Sequence, residues 1–290
     1  MPDFQKQTVQ WFPGHMARTR RKIKESLPLV DAVVEIVDAR IPESSRNPEL
    51  DEITSGKPRI ILLNKSDIAD QSATDAWMNH FKNNGAFVLA VDCKSGRGLN
   101  HFVPLAREAL KERIAANEAK GMAGRPLRLM VVGIPNTGKS SFINRMSSKS
   151  KLQVANRPGV TRQNQWVVCG DGIELLDTPG VLWPKFEDPA VGNKLAFIGS
   201  VKDDIMDVET IAVRLLDILK TDYTDRLAER YKLGPEIADL ESWEVLEAIG
   251  RKRGMLLRGN EVDTERAANT LLTEYRGGKL GKITLERPKG

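Results

Sequence analysis

The chain has 290 residues, room for one large domain or two ordinary ones at ~100–200 residues each. Hydrophobic residues make up 40% and charged residues 29%, which excludes a disordered, collagen-like or low-complexity chain. Lys+Arg at 44 against Asp+Glu at 39 gives a formal charge of +5, a mild basic excess that suits a polyanionic partner.

Two cysteines, Cys93 and Cys169, are too few for a disulfide framework, so a reducing compartment is expected. No apolar run approaches the ~20 residues of a membrane span, and residues 1–15 lack a signal-peptide core. The expectation is a soluble, cytoplasmic protein with no membrane partner.

Residues 32–37 (AVVEIV), 59–63 (RIILL) and 87–91 (FVLAV) are short, β-branched-rich runs closed by polar residues. They predict buried strands. Residues 71–83 between them predict a helix, and residues 99–116 predict one amphipathic helix with Phe102, Leu105, Ala109 and Leu110 on a face. Such alternation predicts a mostly parallel sheet covered by helices on both faces. Residues 118–126 (EAKGMAGRP) form a connection to a fourth strand at 127–132 (LRLMVV) and a helix over 140–146. Segments 166–168 and 173–176 predict an antiparallel pair around 170–172. From residue 189 onward helical periodicity replaces strand runs, with helices expected over 208–220, 225–232, 242–252 and 263–276.

Residues 133–140 read GIPNTGKS, the G-x-x-x-x-G-K-[ST] pattern. Its glycines let backbone N–H groups turn toward phosphate oxygens at a helix N-terminus. Asn136, Thr137, Gly138, Lys139, Ser140 and Ser141 line this candidate site. Lys139 would meet the β- and γ-phosphates and the Ser140 hydroxyl would bind Mg²⁺. Asp177-Thr178-Pro179-Gly180 follows a predicted strand. The Asp177 carboxylate would reach the Mg²⁺ shell and the Gly180 N–H the γ-phosphate. Thr161, between the two, is the candidate to complete the Mg²⁺ coordination.

Asn64-Lys65-Ser66-Asp67 closes the second predicted strand. The Asp67 carboxylate can accept from guanine's N1–H and exocyclic amine, a donor pair adenine lacks, and such a mismatch can discriminate by ~10⁴–10⁵. The Lys65 stem can lie over the base, and Asn64 can tie this loop to the phosphate loop. Asp92-Cys93-Lys94-Ser95-Gly96 follows the third strand, with the Cys93 N–H as the candidate donor to guanine O6 and Lys94 beside it.

These five motifs occur in rotated order, base segments first and phosphate loop afterwards. With WFPGHM at 11–16 and DAR at 38–40, the whole chain resembles the circularly permuted ribosome-assembly GTPases of bacteria. One departure is Asp92-Cys93-Lys94 where that pattern usually has Ser-Ala-Lys. The resemblance implies a circularly permuted P-loop GTPase domain, α/β with a mostly parallel sheet, followed by a smaller all-helical domain. The expected division is a basic extension over 1–24, the GTP-binding domain over 25–186 and a helical, RNA-binding domain over 187–290.

The resemblance also implies GTP and GDP as ligands with Mg²⁺, turnover during late assembly stimulated by the ribosome, and the large ribosomal subunit and its rRNA as partners of a monomer. Gly180 is followed by Val181-Leu182-Trp183, none of which can orient a water through a carboxamide, so the resting enzyme is expected to be slow. His15 matches the water-positioning histidine proposed in the resembled family, and Asn136 matches a K⁺ ligand of cation-dependent GTPases. Basic clusters at Arg18–Lys24, Arg251–Arg253 with Arg258, and Lys279–Lys289 suit rRNA phosphates. The alternative is a GTP-gated adaptor that docks to a protein with negligible hydrolysis.

Overall fold

The computed structural model describes residues 16–148, 165–178, 180, 188–201 and 207–288. These divide into two compact units, one spanning 12–184 together with 286–290 and the other 185–285. The second unit thus ends at Leu285 rather than at the C-terminus, and the division near 184 stands beside an expected one at 186.

The first unit is built on six strands: β1 (Ala32–Asp38), β2 (Arg59–Asn64), β3 (Phe87–Ala90), β4 (Leu127–Val132), β5 (Gln165–Cys169) and β6 (Ile173–Asp177), in the order β3-β2-β1-β4-β6-β5. All neighbours are parallel except the β5–β6 pair. Every residue of β1 is buried, as a central strand covered on both faces requires. Ala32, Val34, Ile36, Ile60, Leu62 and Leu129 pack into one core layer and Val33, Met130 and Leu176 into another. That alternation is the period-2 pattern of a pleated strand.

Around the sheet lie α1 (Met16–Ser26), α2 (Pro48–Thr54), α3 (Gln71–Asn83), α4 (Phe102–Ala109), α5 (Lys111–Ala119) and α6 (Lys139–Ser148). The carboxylate of Asp70 accepts from the Ala73 N–H at 2.8 Å to start α3, a cap worth ~1 kcal/mol. Asn47 and Pro48 start α2 in the same way. The single helix expected over 99–116 is instead a 3₁₀ turn over Leu99–His101 followed by α4 and α5, broken at Leu110. Leu110 is buried against the core, so packing of the two apolar faces overrides helical continuity.

The second unit is helical: α7 (Pro189–Phe197), α8 (Val208–Asp222), α9 (Thr224–Tyr231), α10 (Ser242–Lys252) and α11 (Thr264–Arg276). Ile211, Leu215 and Leu219 form the buried stripe of α8, which packs against α10 and α11. Asp207, the Glu241/Glu244 capping box and Asp263 start α8, α10 and α11. Arg276 donates to the carbonyls of Ala196 (2.8 Å) and Phe197 (3.0 Å), tying α11 to α7.

Candidate nucleotide site

In a parallel sheet the ligand crevice lies beyond the carboxyl ends of the strands, where the strand order reverses. Here that point falls between β1 and β4. Asp38 ends β1 and pairs in register with Asn64 at the end of β2. Val131 of β4 pairs with Asp177 at the end of β6. The phosphate loop follows β4, so the strand ends alone bring residues far apart in the chain to one rim.

The phosphate loop requires its glycines. Gly133 has φ +147°, and a Cβ there would lie 2.5 Å from the Ile36 carbonyl oxygen of β1. Gly138 has φ +105°, and a Cβ there would lie 2.1 Å from Asn64 Nδ2. Asn136, between them, is left-handed at φ +62°. The Thr137 side chain is buried, with Oγ1 donating to the Ile134 carbonyl at 3.0 Å, so Thr137 offers the site its backbone. Lys139 donates to the same carbonyl at 3.0 Å. Burial lowers the Lys139 ammonium to about 8, with Asp177 acting in the opposite direction. Asp177 is raised by burial and lowered by Lys139. Ser140 and Ser141 are exposed. Gly180 lies close over the loop: a Cβ on it would come 3.0 Å from Lys139 Nζ and 3.1 Å from Pro135 N. Thr178 Oγ1 donates to the Val131 carbonyl at 2.6 Å, pinning this segment to β4.

Asn64 organises the opposite side. Its Nδ2 donates to the Thr137 carbonyl at 2.6 Å, and its Oδ1 accepts from the Cys93 N–H at 2.9 Å. One buried amide therefore joins the phosphate loop and both base segments. The Cys93 N–H expected to meet guanine O6 is engaged by Asn64 here and would have to be shared with the base. Asp92 accepts from the Lys94 N–H at 2.8 Å and the Ser95 N–H at 3.2 Å, so aspartate shapes the turn at the position where the family pattern has serine. Arg145 of α6 donates to the Lys94 carbonyl, bracing this turn from behind. Burial pushes the Cys93 thiol up to about 12, leaving it a neutral packing group. Lys65, at φ +62°, donates to the Asn136 carbonyl at 2.8 Å. Asp67 is half-buried beside it.

His15 and Thr161 lie outside the described residues, as do 11–15 and 158–160. Two residues without an assigned role in the sequence enter the site. Asp38 is fully buried and accepts from Arg40 Nε (2.9 Å), Arg40 Nη2 (2.8 Å) and Lys65 Nζ (2.8 Å). Burial opposes its ionisation, but Arg40 and Lys65 hold it well below the ordinary carboxylate range. The signal was the acid closing an apolar strand two residues before an arginine.

The basic clusters are arranged differently from their order in sequence. Arg251, Lys252, Arg253 and Arg258 are all exposed, with Arg253 also lying over the Tyr231 ring and 3.5 Å from Glu274. Lys279 and Lys282 are exposed in the helical unit, but Arg287 belongs to the first unit, 3.3 Å from Asp70.

A glycine-built phosphate loop, a buried lysine inside it and an asparagine linking it to two earlier segments define a P-loop GTPase whose base motifs precede its phosphate loop in the chain. Residues 128–243 match the family model of the 50S ribosome-binding GTPases. Ribosome biogenesis GTPase A of Priestia megaterium is 47% identical over 282 residues, covering 97% of each chain. The Thermotoga maritima protein of the same name is 34% identical over 281 residues, 97% of this chain and 95% of that one. The GDP-bound structure of TM YlqF superposes with a TM-score of 0.65 at 31% identity, covering 93% of this chain and 100% of that one. GNP-bound YlqF from T. maritima gives 0.63 at 31% identity, covering 94% and 99%. The chain belongs to the ribosome biogenesis GTPase A family.

Proposed function

We propose that this GTPase binds the maturing large ribosomal subunit through rRNA contacts and hydrolyses GTP during late assembly, with the ribosome stimulating turnover. The observation that carries the nucleotide part is the Asn64 bridge from Thr137 to Cys93, which ties the 133–140 loop to the segments proposed to read the base. The names of the relatives and the exposed Arg251, Lys252, Arg258, Lys279 and Lys282 support the ribosomal part, since such cations bind RNA phosphates.

The Gly133–Gly138 loop and Lys139 take the phosphates, and Asp67 reads the guanine edge. Exposed Ser140 and half-buried Asp177 supply hard oxygens suited to Mg²⁺. With Thr161 these residues would hold the ion, which supplies charge neutralisation on the β- and γ-phosphates. Gly180, packed against Lys139, would meet the γ-phosphate. No residue at 181–183 has a carboxamide to orient water, so His15 is assigned that role. Asn136 is assigned a K⁺ that would offset charge on the transferring group.

Sedimentation with ribosomal fractions tests the reading. Co-migration with large subunits in a GTP analogue, its loss in GDP, and faster turnover on adding large subunits are the expected results. Unchanged turnover with a protein partner recovered instead would favour a GTP-gated adaptor. Binding insensitive to salt would remove the rRNA phosphate contacts.

A further inference from the structure

β1 ends on a carboxylate with no exposed surface. Asp38 Oδ1 accepts from the Arg40 N–H at 3.1 Å and Arg40 Nε at 2.9 Å, while Oδ2 accepts from Arg40 Nη2 and Lys65 Nζ, each at 2.8 Å. Arg40 alone matches Asp38 in charge and in fork geometry. A second cation is surplus to neutralising the buried carboxylate. What it adds is position. The same Lys65 ammonium donates to the Asn136 carbonyl at 2.8 Å, and Asn136 is the left-handed residue of the phosphate loop, at φ +62°. A continuous path, Arg40–Asp38–Lys65–Asn136, therefore runs from the central strand to the loop.

A purely structural role would stop at the turn after β1, where the Asp38 N–H donates to Ser45 Oγ at 2.9 Å. The link to Asn136 goes beyond it. We infer that Asp38, braced by Arg40, is a positioning residue for nucleotide binding: it fixes the Lys65 ammonium against the Asn136 carbonyl and so holds the phosphate loop in its binding shape before the nucleotide arrives. Lysine has a long, rotatable stem, and immobilising it in advance removes an ordering cost from the binding step. The inference rests on the assignment of 64–67 and 133–140 as the nucleotide site.

The test is a double-mutant cycle on the full-length chain, read by titration with fluorescent GDP and a fluorescent GTP analogue. Asp38→Asn weakens both nucleotides at least tenfold. Lys65→Met keeps the apolar stem and loses the ammonium; in that background Asp38→Asn adds less than twofold. Preference for guanine over adenine nucleotides is unchanged by Asp38→Asn, because Asp67 is intact. Asp38→Asn removes the carboxylate that faces the buried Arg40 guanidinium. If it does not fold, Asp38→Asn/Arg40→Gln removes both charges, and the same tenfold loss is expected at a near-wild-type melting temperature. A folded variant binding within twofold of wild type, or losses that multiply across the cycle, overturns the inference. A wild-type chain that binds no guanine nucleotide removes the site assignment itself, a result distinct from either.

Discussion

Asn64 Nδ2 donates to the Thr137 carbonyl at 2.6 Å across 73 positions of sequence. Both groups are buried, so neither can turn to water if the other is lost. Asn64→Ala strands the Thr137 carbonyl and the Cys93 N–H together, at ~1–3 kcal/mol for each unsatisfied buried group. The expected outcome is a lower denaturant midpoint and weakened binding of both GTP and GDP. Gly138→Ala reaches the same contact from the other side, because its Cβ would collide with the Asn64 amide. It is expected to abolish nucleotide binding measured by equilibrium titration.

Lys139 gives the nucleotide-free protein a defined pH dependence. Its ammonium sits at about 8 through burial, below its ordinary range. Nucleotide phosphates favour the charged form, so binding raises this value. Above pH ~8 binding therefore takes up a proton, and affinity falls as pH rises through this region. In stability the sign is also set: the unfolded lysine holds its proton longer, so folded-state stability attributable to Lys139 rises between pH ~8 and its unfolded value near ~10.4. Calorimetry in buffers of different ionisation enthalpy measures the proton uptake, and Lys139→Met is expected to abolish it.

In the proposed site, base specificity turns on the Asp67 carboxylate. Asp67→Asn replaces an acceptor by a donor, so the site is expected to prefer a purine with a carbonyl, not an amine, at C2. Discrimination for guanine over xanthine nucleotides should invert, with a change within the ~10⁴–10⁵ range of a buried polar mismatch. Competition titrations with GTP, xanthosine triphosphate and ATP read it directly.

Glu286 belongs to the GTPase unit although it lies near the C-terminus. Its carboxylate accepts from the Glu43 N–H at 2.8 Å and the Ser44 N–H at 3.1 Å, and its carbonyl accepts from Trp77 Nε1 at 3.1 Å. Truncation at 285 is expected to cost ~1–3 kcal/mol for the groups left unpaired. A lowered melting transition measures it; an unchanged transition would show that these bonds are replaced by water at no cost.

Hydrolysis is expected to depend on groups beyond the phosphate loop. His15→Ala should abolish ribosome-stimulated turnover and leave GTP affinity within twofold. Exchanging K⁺ for Na⁺ should slow turnover if Asn136 supports a cation, and Asn136→Ala should remove the difference. Equal rates in the two salts count against that role.

The motifs at 64–67 and 133–140, the strand runs and the helix over 71–83 were legible because they depend on local chemistry: apolar periodicity, capping side chains and glycines where the backbone must turn. Asn64 was readable as a tie between loops for the same reason, since a buried amide at a strand end must find partners. The break at Leu110, the short helix α2 and the pairing of Arg287 with Asp70 were not. Each depends on which surface a segment meets, and sequence spacing does not contain that information. Asp38 shows the limit most clearly. As a residue it is an acid before a turn; its control of Lys65 exists only because β1 lies between β2 and β4, whose ends bring Lys65 and the phosphate loop together. The chain by itself determined that a phosphate-loop motif and an aspartate just after the second strand are present. Tertiary structure decided which buried charges act on them, because electrostatic and hydrogen-bond contacts act over a few ångströms of space, whatever the separation in sequence.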